Sequence, residues 1–453
     1  MFKRYVSIAT MLLIILTISA CSNESGGEGE ENEDVKSDNQ EANSEDTPSS
    51  ELTISEPVTL TFMSVWNDEL FETRIKGFVE EKFPNVTMEL ISTRADSDGL
   101  QEMFAADIMP DLLHITNGFG PLQELDMLFP LEDMVEQYGL DLDKVRTGAL
   151  ESTRAMDPAL ENRLLGFPIE EVAYGLFYNK SLFDQFGVDY PTNGMTWEEV
   201  IELARDVTRE VDEVKYRGLV LGTSVLPLLQ LSPQGVDPET GEVSLASESD
   251  FSDYLDLMKE ITEIPGNYEP EMEESFEGQQ VAMFISTLTS QRDMYGDDQY
   301  DFDLVRVPTW SDHPDIGPHS RVYPVSISPY SEHKEEAFAV LNYLVSEEMQ
   351  AKMARAAQTP VSDEPNVHQE YAAYRIEENG GDDIYNFQAA YELMPAQPPL
   401  YTPSYPGVPQ PFDFVAGRYE EFVQSNDDTP TFLRKLEDEY KGMLEDARNR
   451  YAD

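Results

Sequence analysis

The chain of 453 residues contains one cysteine and five histidines. An intrachain disulfide is therefore impossible, a cysteine-rich metal site is excluded, and little material is left for a zinc site. Basic residues are also scarce. Thirty Lys+Arg stand against 89 Asp+Glu, a net charge of −59. A chain with no basic face cannot neutralise phosphates, which removes the plain electrostatic route to nucleic acid and to anionic lipid. The apolar run at 6–20 has fifteen residues, short of the about 20 that a membrane-spanning helix needs. Gly-x-Ser-x-Gly, His-Glu-x-x-His and a phosphate loop are all missing, so the commonest hydrolase and nucleotide signatures are absent. With 89 acids, neighbours such as Glu170-Glu171 or Glu198-Glu199 carry no information about paired catalytic carboxyls.

What is present is a 40% apolar content, enough for a large core, and a length that suggests two to three domains. The acid excess is not confined to one end. Residues 22–56 hold twelve acids and one base; the body after them holds 77 acids and 27 bases, a net of −50. Such a body is expected of a protein adapted to salty or alkaline surroundings, where a hydrated acidic surface stays soluble and ions screen its self-repulsion.

The N-terminus reads as an address and a tether. Lys3 and Arg4 precede the short apolar run, which ends Ile18-Ser19-Ala20-Cys21. A basic start, a short apolar centre and small residues at the end describe an export signal. With the sole cysteine placed after Ala20, the segment resembles a bacterial lipoprotein signal. That resemblance implies removal of 1–20, lipidation of Cys21 and a protein anchored to the cell membrane on its extracellular face, since several acyl chains hold where one is marginal. Residues 21–56 form an acidic tether whose Glu, Ser, Asn, Asp and Gly cannot offset the entropy of ordering.

Along the body, alternation and β-branching predict strands over 57–65 and 86–91, with a helix over 68–82 between them. A short helix over 100–106 and strands over 112–115, 164–169 and 173–178 follow. Thr196 opens a helix to 207, with Glu199 completing a capping box. Further helices are expected over 251–264, 333–357 and 431–451. Strand and helix alternate at the start, so the class is α/β with a mostly parallel sheet. Seven prolines fall within 394–412, an irregular segment interleaved with tyrosines.

Several segments in order resemble the extracellular solute-binding proteins of ABC importers, of the maltose/multiple-sugar-binding type. They are Pro110-Asp111-Leu-Leu-His-Ile115, Leu128-Phe-Pro-Leu-Glu-Asp133, Gly166-Phe-Pro168 with Tyr174-Gly-Leu-Phe-Tyr-Asn-Lys180, Thr196-Trp-Glu-Glu-Val200, and Phe276-Glu-Gly-Gln-Gln-Val-Ala-Met283. Gln279 stands where the family has lysine. The stretch 331–350 and Thr359-Pro-Val361 complete the set, which spans about 58–365; the proline-tyrosine segment departs from the pattern. The resemblance implies a two-lobed, type II periplasmic-binding-protein-like fold, its lobes joined by hinge strands around a ligand cleft. It places 57–170 with 288–332 in the N-terminal lobe and 171–287 with 333–453 in the C-terminal lobe. It implies a monomer that captures a carbohydrate, such as an oligosaccharide, by lobe closure and delivers it to an ABC permease, with no cofactor, no metal and no catalysis. A secreted carbohydrate-active enzyme and a structural surface lipoprotein are the alternatives.

In that fold the loops after strand ends line the cleft. They carry Trp66, Asn67 and Asp68; Asn117 and Gly118; Glu171 and Tyr174; and Ser286 and Thr287. Trp310, Arg321 and Tyr323 are expected to arrive from the returning part of the first lobe. A flat aromatic can stack on a sugar face while short polar chains bond its hydroxyls. Arg321 could offer two hydrogen bonds to a carboxylate or to sugar hydroxyls, or pair with a neighbouring acid.

Two outcomes follow from sequence alone. Mass spectrometry of membrane-extracted protein should find residues 1–20 gone and Cys21 acylated; an intact Met1 would refute the lipoprotein signal. The melting temperature should climb from low to molar salt as screening relieves the −50 body, and a flat or falling profile would contradict this.

Overall fold

The computed structural model describes residues 52–116, 118–268, 276–381, 384–403, 405 and 407–451. The signal, Cys21 and Asn117 lie outside the described residues. By compactness the chain separates into Met1–Thr47 and Pro48–Asp453, and every described residue belongs to the second unit.

The strands of that unit are β1 Val58–Ser64, β2 Val86–Ser92, β3 Leu112–His114, β4 Phe167–Glu171, β5 Tyr174–Asn179, β6 Arg209–Val211, β7 Val214–Leu221, β8 Val281–Thr287, β9 Phe302–Val305, β10 Ile316–Gly317, β11 Val322–Ile327 and β12 Met394–Pro395. They form two five-stranded sheets, β2-β1-β3-β11-β4 and β6-β7-β8-β5-β9, and a two-stranded piece, β10-β12. In the first sheet β1 runs parallel to β2 and β3, and β11 returns antiparallel to β3 and β4. Pro324 cannot donate to the ladder; it sits where the β11–β4 register shifts, between Val322 and Pro324. In the second sheet β7 is parallel to β8, and β5 is antiparallel to both β8 and β9.

Both sheets are covered on both faces, so successive strand residues enter different cores. Phe62 and Leu112 face one cluster, Met63 and Leu113 the other. Leu176 and Ile285 likewise separate from Phe177 and Phe284 in the second sheet. The helix Trp197–Val207 has the expected capping box between Thr196 and Glu199. Its Trp197 is fully buried, and the indole N–H donates to Gln230 at 2.9 Å.

Two helices differ from expectation in detail. The run 68–82 contains a π-helical turn at Glu72–Lys76. The stretch expected as one helix over 333–357 is two, Lys334–Leu344 and Glu347–Arg355. Ser346 makes the break: its hydroxyl donates to the Tyr343 carbonyl at 2.6 Å and accepts from the Met349 N–H at 3.4 Å, which starts a new helix.

The lobes also divide differently from the expected boundaries. The segment 288–332 does not belong wholly to the first lobe. Leu288, Met294, Tyr295, Phe302 and Leu304 pack in a second-sheet core, because β9 pairs with β5 along Leu176↔Val305 to Asn179↔Phe302. Conversely, the helices of 334–355 pack on the first sheet. Phe338, Val340, Leu341, Met349 and Met353 join Phe167 and Ile169 in its core, and Gln350 donates to the Ile169 carbonyl at 3.1 Å. The chain therefore passes between the lobes three times: at Val172–Ala173, between β9 and β11, and after Val361.

Candidate functional site

A cavity of about 630 Å³ lies between the lobes. The first lobe contributes Asp96 and Ser97 at a helix start, Thr116, Gly118 and Pro121 after β3, and Ser152 and Met156. The second crossing contributes His319 to Tyr323, and the second lobe Gln234. The remaining wall comes from one segment, residues 398–413.

That segment is the proline-tyrosine stretch. Its prolines remove backbone donors and block a helix, so side chains and carbonyls of both lobes satisfy much of its backbone. Leu400 and Gln234 exchange two hydrogen bonds, at 2.9 and 3.0 Å. The Tyr401 N–H donates to the Ala155 carbonyl at 2.9 Å. Ser232 donates to the Gln397 carbonyl at 2.6 Å, while Gln397 donates to Glu151 at 3.2 Å. Close approach to the first lobe depends on glycine. A Cβ on Gly120 would lie 2.0 Å from the Tyr401 hydroxyl oxygen, and one on Gly148 would lie 2.4 Å from Pro395. Pro411 then starts the helix Pro411–Ala416, which carries Phe412 and Phe414 into the second core.

Of the residues expected at a cleft, Gly118, Arg321 and Tyr323 line this cavity. Gly118 turns the loop there with φ +77°. Arg321 reaches Asp413 at 3.5 Å, and each side chain is about one-third exposed. Arg321 thus has a neighbouring acid as partner and also faces the cavity. His319 is buried beside it and held by the Ser232 hydroxyl at 3.0 Å. Burial, reinforced by Arg321, lowers its pKa to about 4, so the ring is neutral at pH 7.

Glu171 and Tyr174 line a much smaller space of about 30 Å³ beside the crossings, room for about one water. Arg146 meets Glu171 at 2.5 Å and Ser320 donates to it at 3.0 Å. Burial raises the Glu171 carboxyl above its usual range, against the opposing pull of Arg146. Burial also raises the Tyr174 hydroxyl far above its ordinary value, against Arg321.

The other expected residues have structural positions instead. Trp66 is 9% exposed and belongs to the first core. Its ring lies 5.9 Å from Phe62 and 4.6 Å from His114, and the Arg74 guanidinium lies 5.4 Å from its centroid. Burying an indole stabilises more than leaving it at a loop tip, and the chain after Ser64 folds back to do so. Asn67 is the cap of the helix that Asp68 begins, accepting from the Leu70 N–H at 2.8 Å. Ser286 is buried in β8, and Thr287 holds Ser290 through their hydroxyls at 2.6 Å. Trp310 packs on the second core, 6.5 Å from Trp197, and donates to the Pro227 carbonyl at 3.3 Å. It does not come from the first lobe. The sequence reading missed Asp96, Ser97, Ser152, Gln234 and the whole proline-tyrosine wall. Only the last left a signal, its composition.

Residues 60–351 match the family described as bacterial extracellular solute-binding protein. The chain belongs to that family. Members of this family are binding proteins rather than enzymes. An arabinooligosaccharide-binding protein from Halalkalibacterium halodurans is 26% identical over 224 residues, covering 46% of this chain and 48% of that protein. The match thus spans about half the length of that relative. Among solved structures, an ABC substrate-binding protein from Listeria monocytogenes in complex with cycloalternan is similar at a TM-score of 0.61 and 18% identity, covering 86% of this chain and 99% of that one. The sugar-binding protein MalE from Xanthomonas citri is similar at 0.66 and 16% identity, covering 87% and 100%. These likenesses establish the two-lobed type II fold of the family.

Trp66→Ala should lower stability by about 3–5 kcal/mol, the usual cost of emptying a buried aromatic site. Urea unfolding followed by circular dichroism measures it, and a loss below about 1 kcal/mol would contradict a core position.

Proposed function

We propose that this solute-binding protein captures an oligosaccharide between its lobes and delivers it to an ABC permease in the membrane to which Cys21 anchors it, acting as a monomer on the extracellular face. The observation that carries this reading is the composition of the cavity. Tyr323, Tyr401 and Tyr405 supply aromatic surface, while Ser97, Thr116, Ser152, Thr402, Gln234 and Gln410 supply short hydrogen-bonding groups. Sugars present apolar ring faces edged by hydroxyls, and this lining matches both features. The volume of about 630 Å³ falls within the usual range for small-molecule sites. The names of the relatives support the same class of ligand.

Capture works by differential affinity. A ligand touching the Thr116–Pro121 loop on one lobe and Gln234 on the other stabilises the closed arrangement more than an open one. The Cys21 anchor and acidic tether would keep the body near its permease, and the acid excess fits a salty or alkaline exterior.

Titration calorimetry with arabinotriose, xylotriose and maltotriose, in molar salt, should find at least one binding near the micromolar level, about −8 kcal/mol. Tyr323→Ala should weaken that binding at least tenfold. Failure of all three and of longer oligosaccharides to bind would refute the reading.

A further inference from the structure

The cavity wall holds three formal charges among the described residues: Asp96, Arg321 and Asp413. His319 is neutral at pH 7. Arg321 is thus the only cation on the described wall, and the Asp413 carboxylate lies 3.5 Å from it. Neither end of the pair can readily turn away. Arg321 lies between Ser320, whose hydroxyl donates to Glu171, and Val322, which pairs with Glu171 in the first sheet; its own carbonyl accepts from the Val172 N–H at 2.9 Å. Asp413 is in the first turn of Pro411–Ala416, between Phe412 and Phe414, which are both buried in the second core.

We propose that the Arg321–Asp413 pair determines ligand charge: the cavity accepts neutral saccharides and rejects those carrying a carboxylate. This rests on the carbohydrate reading above and adds its chemical class. A ligand carboxylate would enter a wall that already has one net negative charge. A carboxylate that bonded the guanidinium would either sit beside Asp413, two like charges sharing one cation, or displace it and leave it partly buried without its cation; both are unfavourable. A neutral sugar makes no such demand, since its hydroxyls can bond the outer edges of both groups without breaking them apart. Rejection by an unpaired charge is a recognised route to specificity. Asp413 therefore acts by cancelling the cation that would otherwise recruit acids.

The test uses matched ligands. For whichever trisaccharide of the arabinose, xylose and maltose series binds, the reducing end is oxidised to the aldonate or reduced to the alditol. These differ only in a carboxylate against a hydroxymethyl group. Calorimetry in 1 M NaCl screens the general field of the acidic body beyond about 3 Å and leaves local pairing readable. Wild type should bind the aldonate at least tenfold more weakly than the alditol. Asp413→Asn should raise aldonate affinity at least tenfold, and adding Arg321→Gln should remove that gain. Melting curves check that each variant is folded, and the wild-type comparison stands even if a variant is not. Equal affinity of wild type for aldonate and alditol would overturn the proposal, as would no gain in a folded Asp413→Asn protein that still binds the alditol. If none of the three parent trisaccharides and no longer oligosaccharide binds wild type, the carbohydrate reading itself falls, and the charge rule with it; a parent that binds while neither derivative does overturns the charge rule alone.

Discussion

Glu171 joins the segments on which the two-lobed arrangement depends. It is the last residue of β4, with two residues between it and the start of β5 in the other sheet. Its carboxylate binds Arg146 of the first lobe and Ser320 of the second crossing. Its backbone N–H donates to the Thr359 carbonyl, and its carbonyl accepts from the Thr359 hydroxyl, just ahead of the third crossing. Arg146 in turn reaches Asp363 at 2.8 Å and lies 5.2 Å from the Tyr391 ring centroid. One buried ion pair thus fixes where all three passages of the chain meet. Removing either partner of such a pair costs about 3–5 kcal/mol, because the other charge is left buried alone.

With the crossings fixed, the cavity follows. The second crossing presents His319 to Tyr323 along one wall. The proline-tyrosine stretch closes much of the opposite side, tied to Ala155 and Glu151 on one lobe and to Gln234 and Ser232 on the other. Such a strap can cross a cleft because it needs no ladder of its own. Proline leaves fewer backbone donors to satisfy; Gln234 takes that of Leu400, and the carbonyls of Asp315, Gly317 and Ala155 take those of Met394, Ala396 and Tyr401. The Arg321–Asp413 contact joins the second crossing to the end of this strap, so the fold that shapes the cavity also sets its charge.

Elements governed by neighbours in sequence were legible. β1, β2 and β3, the Thr196 capping box and the C-terminal helix Thr429–Tyr451 appear within a few residues of their expected bounds. The ordered motifs led to the family and fold. The site was read less well. Gly118, Arg321 and Tyr323 line the cavity and Glu171 and Tyr174 lie beside the crossings, but Trp66 and Trp310 are packed into cores. An aromatic among short polar residues after a strand looks the same in both settings. Trp66 is drawn inward by Phe62 and His114, whereas Tyr401 is drawn to the wall by the room left at Gly118 and Gly120.

The sequence by itself determined the acid excess, the α/β class and the local starts and stops of most helices. These depend on composition or on residues a few positions apart. Only the tertiary structure decided which lobe each returning segment joins, which aromatics are buried and which cation is neutralised. β9 belongs to the second sheet because its partner β5 is more than 120 positions earlier, and Arg321 is paired because Asp413 is brought to it from 92 positions away. Burial and pairing energies depend on what distant segments leave uncovered, and no local pattern records that.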